Sequence, residues 1–65
     1  MKIIFNQETI DLPEESRVID LLQNQGFGRN TAVWVNNKRL LQQEYPVRRL
    51  QDGDQVRVLR PLGGG

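Results

Sequence analysis

A chain of 65 residues with neither cysteine nor histidine must hold itself together by packing alone. At this length a hydrophobic core sits near the lower limit of independent stability, and small domains are often reinforced by disulfides or metal. Both are closed to this sequence, because disulfides need cysteine and structural zinc sites draw on cysteine and histidine. The outcome is one domain with room for one sheet and one helix. The same absences remove thiolate nucleophiles and imidazole bases. The remaining candidates are Ser16, Thr9, Thr31, Tyr45 and the Lys and carboxylate groups, and a body this small offers them little concave surface. The chain therefore reads as a non-enzyme without a metal site.

Charge excludes further classes. Nine basic and eight acidic residues nearly cancel, so no field argues for nucleic acid. No glycine-rich loop opens a helix, so there is no phosphate cradle and no bound cofactor is expected. The amino-terminal run Met1-Lys2-Ile3-Ile4-Phe5-Asn6 is too short for a signal-peptide core or a membrane span. A cytoplasmic monomer without membrane association is the expectation.

Along the chain, Lys2-Ile3-Ile4-Phe5 favours a strand, Asn6-Gln7 a tight reversal, and Glu8-Thr9-Ile10-Asp11-Leu12 a returning strand of alternating polarity. Ile3, Phe5, Ile10 and Leu12 then face one core, and Ile4 the other way. Pro13-Glu14-Glu15 ends the hairpin. Ser16 stands as a helix N-cap, with Glu14 and Glu15 beside the positive helix end. From Arg17 to Gln25, Val18, Ile19, Leu21 and Leu22 recur at helical spacing, and Gly26 supplies the left-handed residue that closes such a helix. The spacing predicts an amphipathic helix of about two and a half turns whose apolar stripe is buried in the chain's own core.

Phe27-Gly28-Arg29-Asn30 is a loop, and Thr31-Ala32-Val33-Trp34-Val35 is the most strand-prone run, an inner or well-paired strand. Asn36-Asn37 turns into a short strand, Lys38-Arg39-Leu40-Leu41. Pro46 forbids a long helix between Gln42 and Leu50, leaving irregular chain or one short turn. Gln51-Asp52-Gly53-Asp54 launches the last strand, Gln55 to Arg60, with Val56 and Val58 inward. A hairpin, a crossing helix and strands that close the sheet make the pattern of a β-grasp. The fold class is α+β: one helix across one face of a mixed four- to five-stranded sheet, whose first and last strands pair in parallel. Residues 1–60 form the domain and residues 61–65 a flexible glycine tail.

That tail, Pro61-Leu62-Gly63-Gly64-Gly65, reads in two ways. It is a frayed end, or it is a thin thread that enters a narrow slot, because glycine allows another backbone to approach closely. At about 3.3–3.6 Å per residue, it would carry its carboxylate about 17 Å from the body.

Strand order, the Asn-rich turn after the third strand, the segment Gln51-Asp52-Gly53-Asp54-Gln55-Val56 and a chain ending in Gly-Gly together resemble the small ubiquitin-like sulfur carriers, the ThiS/MoaD family. The length, with Val35-Asn36-Asn37 and Asp52-Gly53-Asp54, is most similar to the ThiS branch of thiamine biosynthesis. The likeness spans the whole chain. The resemblance implies a carrier whose terminal carboxylate, here that of Gly65 with Gly64 before it, is adenylated with ATP by a ubiquitin-activating-like adenylyltransferase of ThiF or MoeB type. The product becomes a thiocarboxylate that a thiazole synthase of ThiG type uses as its sulfur source. Gly63 departs from the family pattern, in which a larger residue is more common there, and shifts the tail's register by up to one position. Two alternatives share the fold. One is a MoaD-like carrier for molybdopterin, tungsten-cofactor or cysteine synthesis; the other is a ubiquitin-like modifier or plain interaction module.

Strict alternation sends Ile4, Trp34, Arg57 and Leu59 to the sheet face that has no helix to cover it. An apolar patch with a central aromatic and a rim arginine has the composition of a protein-recognition surface. The competing reading packs Trp34 into a corner of the core, or shields it with Lys and Gln stems. Arg48, Arg49 and Arg60 read either as steering charges for an acidic partner or as ordinary solvated surface.

Overall fold

Two turns set the sheet. Asn6 and Gln7 have φ of 47° and 72°, and Asn36 and Asn37 have φ of 52° and 69°. Positive φ at both central residues is the geometry that matches the twist of a two-residue hairpin, and asparagine tolerates it better than most residues. The computed structural model describes residues 1–60. Around the first turn, β1 (Lys2–Phe5) pairs antiparallel with β2 (Glu8–Asp11), placing Ile3 opposite Ile10. Around the second, β3 (Ala32–Val35) pairs with β4 (Lys38–Arg39), placing Trp34 opposite Arg39. The last strand, β5 (Gln55–Leu59), enters between the hairpins, parallel to β1 and antiparallel to β3. The result is a five-stranded mixed sheet of order β2-β1-β5-β3-β4. With a single helix, α1 (Val18–Asn24), it is the β-grasp that the sequence pattern implies. The expectations for residues 61–65 lie outside the described residues.

Alternation along the strands decides the core. Ile3, Phe5, Val33, Val35, Val56 and Val58 are buried and join Val18, Ile19, Leu21 and Leu22 of α1 in one cluster, with Leu12, Leu40, Tyr45 and Leu50. Ile10 packs against it from the edge strand. The segment between β4 and β5 contributes a 3-10 turn (Gln42–Glu44) and then Tyr45, whose buried hydroxyl donates to the Thr31 carbonyl at 2.7 Å. Burial pushes the Tyr45 phenol above its usual range.

The helix starts differently from the expectation. Ser16 is not the N-cap: its hydroxyl donates back to the Pro13 carbonyl at 2.7 Å, and Arg17 occupies the cap position. The first-turn donors that a cap would satisfy find distant backbone instead. Val18 N–H donates to the Arg48 carbonyl and Ile19 N–H to that of Tyr45, at 2.9 and 3.0 Å. In return the Leu50 N–H donates to the Ser16 carbonyl at 2.8 Å. Asp20 accepts from the Arg17 N–H at 2.9 Å and from its guanidinium, a bond that holds the Asp20 carboxyl below its ordinary range. Glu14 and Glu15 do not serve the helix end: they lie beside the chain's amino terminus at 3.6 Å and Arg49 at 3.3 Å. The helix spans seven residues, one fewer at each end than the spacing suggested, because Arg17 and Gln25 are its caps, and Gly26 at φ 79° closes it where the sequence placed the stop. The Phe27 N–H reaches the Leu22 carbonyl at 2.8 Å and the Gly26 N–H that of Gln23 at 3.3 Å, the paired bonds of a Schellman closure.

Candidate docking face and the root of the tail

The sheet face away from α1 carries the side chains that alternation assigned to it. Trp34 sits in the central region of this face, with Arg57 of β5 paired across from it on one side and Arg39 of β4 on the other. That register places both guanidinium groups over the indole, at 4.6 Å for Arg57 and 5.1 Å for Arg39 from the ring centroid. Both distances lie within the range of cation–π attraction. Trp34 is half-buried, with both arginines over its ring, rather than inserted into the core, so corner packing does not describe it.

Ile4 and Leu59 remain exposed at 36% and 53% of their surface, too much for structural residues of a small core. With Trp34 and Arg57 they line one shallow depression of about 400 Å³, rimmed by Asn6, Gln7, Asn37 and Gln55. The four residues named from alternation are therefore together. Arg39 was missed. Its signal was present in the two-residue Asn36-Asn37 turn, which fixes residue 39 opposite residue 34. At the β2 edge, Lys2 and Asp11 pair with each other at 3.1 Å and so neutralise their corner.

The other arginines do not form one steering patch. Arg49 pairs with Glu15 at the start of the helix, and the Arg48 guanidinium donates to the Arg49 carbonyl at 3.3 Å. Arg60 lies at the opposite helix end, donating to the Gly26 carbonyl at 3.3 Å and stacking 4.6 Å from the Phe27 ring centroid. The last turn of α1 carries no basic residue of its own, so Arg60 supplies the cation that a helix C-terminus favours. Phe27 in turn meets Phe5 edge-on, with centroids 5.9 Å apart. Through these contacts Arg60, the last described residue, is fixed to the helix corner. Leu62, Gly63, Gly64 and Gly65 themselves lie outside the described residues. Among the described residues no group of three or more acidic side chains is gathered as a metal site, and no helix is long and apolar enough to cross a membrane.

A single helix laid on a five-stranded mixed sheet, with its first and last strands parallel at the centre, defines a ubiquitin-like β-grasp protein. The model of the ThiS family matches residues 2–65, and the chain belongs to that family. Its fold is similar to the crystal structure of the thiamine biosynthesis protein ThiS from Geobacter metallireducens, with a TM-score of 0.85 and 25% identity over 100% of both chains. It is likewise similar to the solution structure of a thiamine biosynthesis protein from the same organism, with a TM-score of 0.82 and 28% identity over 100% of this chain and 88% of that one. No curated protein sequence matches the chain.

Proposed function

We propose that the chain is a sulfur carrier for thiazole formation in thiamine biosynthesis, with the carboxylate of Gly65 as the group that is loaded. The observation that carries the reading is the whole-chain match to the ThiS family, which runs through the terminal Gly64-Gly65 pair. Elementary chemistry supplies the steps. A carboxylate at neutral pH is a poor electrophile. One of its oxygens attacks the α-phosphorus of ATP in an adenylyltransferase of the ubiquitin-activating type, and pyrophosphate leaves. A sulfur nucleophile then displaces AMP from the acyl-adenylate, leaving a thiocarboxylate that a thiazole synthase consumes. The domain itself catalyses none of this: it is a substrate in the cytoplasm, and ATP belongs to its partner.

Two features of the body support the assignment. Side-chain-free residues at the end of the chain fit an adenylating slot that a larger residue would block. The face bearing Ile4, Trp34, Arg57 and Leu59 provides the docking surface, since a tail alone offers a partner too little area for recognition.

The test is to incubate the protein with ATP, a sulfide donor and its cognate activating enzyme, and to weigh it intact. The mass gains the difference between one sulfur and one oxygen atom. An unchanged mass in the presence of an enzyme shown to be active removes the carrier reading.

A further inference from the structure

We infer that Arg39, Trp34 and Arg57 form one recognition element for carboxylates, and that the partner docking on this face is a folded protein presenting acidic side chains beside an apolar contact. The inference rests on the docking role just proposed for the face and goes further, by naming the chemistry of the surface that fits it and by adding Arg39.

Three observations carry it. Neither Arg39 nor Arg57 forms an ion pair or a hydrogen bond among the described residues, whereas Lys2, Arg17 and Arg49 are each matched with a carboxylate. Asp11, on the outer side of β2, is already held by Lys2 and leaves the two arginines unanswered. Next, Trp34 holds both guanidinium groups before any partner arrives, with their central carbons 4.6 Å (Arg57) and 5.1 Å (Arg39) from the ring centroid. An arginine immobilised over a ring loses less rotamer freedom on binding, and its planar fork of N–H donors suits a carboxylate in bidentate fashion. Lastly, the cations lie beside the exposed apolar surfaces of Ile4 and Leu59, so that one footprint combines apolar area with anion recognition.

A second copy of the chain is a poor occupant, because a symmetric dimer through this face sets like charges against each other. Nucleic acid is a poor one as well: two unengaged cations against an apolar patch offer few phosphate contacts.

The experiment measures association of the intact protein with its purified activating enzyme from about 0.05 to about 0.5 M salt, a range over which screening of exposed charges rises several-fold. Three proteins are compared: the native chain, the double reversal Arg39→Glu with Arg57→Glu, and the conservative pair Arg39→Lys with Arg57→Lys. The native association rate falls with salt. The reversal slows it at least about tenfold at low salt and flattens the salt dependence. The lysine pair keeps the salt dependence but dissociates faster, since it retains charge without the stacked fork. Because both arginines are exposed, far-ultraviolet circular dichroism and urea midpoints stay near native and exclude misfolding as the cause. A reversal variant that associates like the native chain overturns the inference. So does a salt-independent native complex, or a native dimer in sedimentation that the reversal dissociates. Intact mass separates this result from the carrier reading. A native chain that gains sulfur yet docks without salt dependence refutes only the acidic partner; one that docks with salt dependence yet never gains sulfur refutes only the carrier.

Discussion

The side chain of Asn6 grips Val58 by both of its backbone polar groups: Oδ1 accepts from the Val58 N–H at 2.9 Å and Nδ2 donates to the Val58 carbonyl at 3.3 Å. Backbone pairing between β1 and β5 ends with Asn6 N–H to the Val56 carbonyl at 2.9 Å. The amide side chain thus continues a parallel ladder after the main chain has turned away.

Asn6 also carries φ of 47°, which alanine adopts only at a cost. Replacing Asn6→Ala lowers unfolding free energy by about 2 kcal/mol, from lost hydrogen bonds and left-handed strain together. Asn6→Gly loses the bonds without the strain and is the milder change. Urea denaturation of both variants tests the division.

Asp54 is buried and uses its two oxygens separately: one accepts from Asn36 Nδ2 at 3.0 Å, the other from the Gln51 N–H at 2.8 Å. Asn36 cannot turn its amide over in response, because its Oδ1 is held by the Gln55 N–H at 3.0 Å. Asp54→Asn therefore sets a donor against a donor and costs about 1–3 kcal/mol, read as a lower urea midpoint with an unchanged slope.

Tyr45→Phe strips the Thr31 carbonyl of its donor and destabilises by about 1–2 kcal/mol at neutral pH. The phenol's folded pKa is raised by burial, so its contribution is complete below the unfolded value of about 10 and is lost as pH rises through the folded one. Thermal melts from pH 8 to above 10 should show the native protein losing stability faster than the phenylalanine variant, until the gap between them closes.

Trp34→Ala removes both the aromatic centre of the outer face and the support for two arginines. It weakens binding of the activating enzyme by more than about 1 kcal/mol in calorimetric titration. The domain remains folded, because Trp34 is outside the core cluster. Native affinity in the variant leaves this face without a docking role.

Deleting Gly65, or adding one residue after it, abolishes the sulfur mass gain while shifting the urea midpoint by less than about 0.5 kcal/mol in free-energy terms. Deleting Gly63 instead, which keeps the terminal pair but moves its register, distinguishes a slot that measures tail length from one that reads the terminal glycines.

Much of this was legible residue by residue. Asn-bearing turns flanked by alternating strands announced both hairpins, and the parity of Ile4, Trp34, Arg57 and Leu59 placed them together on the outer face. What could not be read depended on partners far along the chain. Ser16 has the chemistry of an N-cap, but the donors that a cap serves are taken by carbonyls of Tyr45 and Arg48, about thirty residues away. Asp54 looks like an ordinary turn acid until Asn36 is brought to it from the neighbouring hairpin. Arg60 read as a steering charge or as solvated surface until the helix end arrived beside it.

The adjacency of β1 and β5, at the middle of the sheet, has a consequence for how the protein comes into being. Among the described residues the first strand of the sheet finds its inner neighbour only in the last, so no stretch between them can close the sheet by itself. Bringing such remote ends together costs loop-closure entropy before any contact repays it, which slows assembly and makes it all-or-none. A nascent chain still threaded through the ribosome would therefore leave β1 without its inner neighbour, and the domain would settle only after Gln55–Leu59 had emerged.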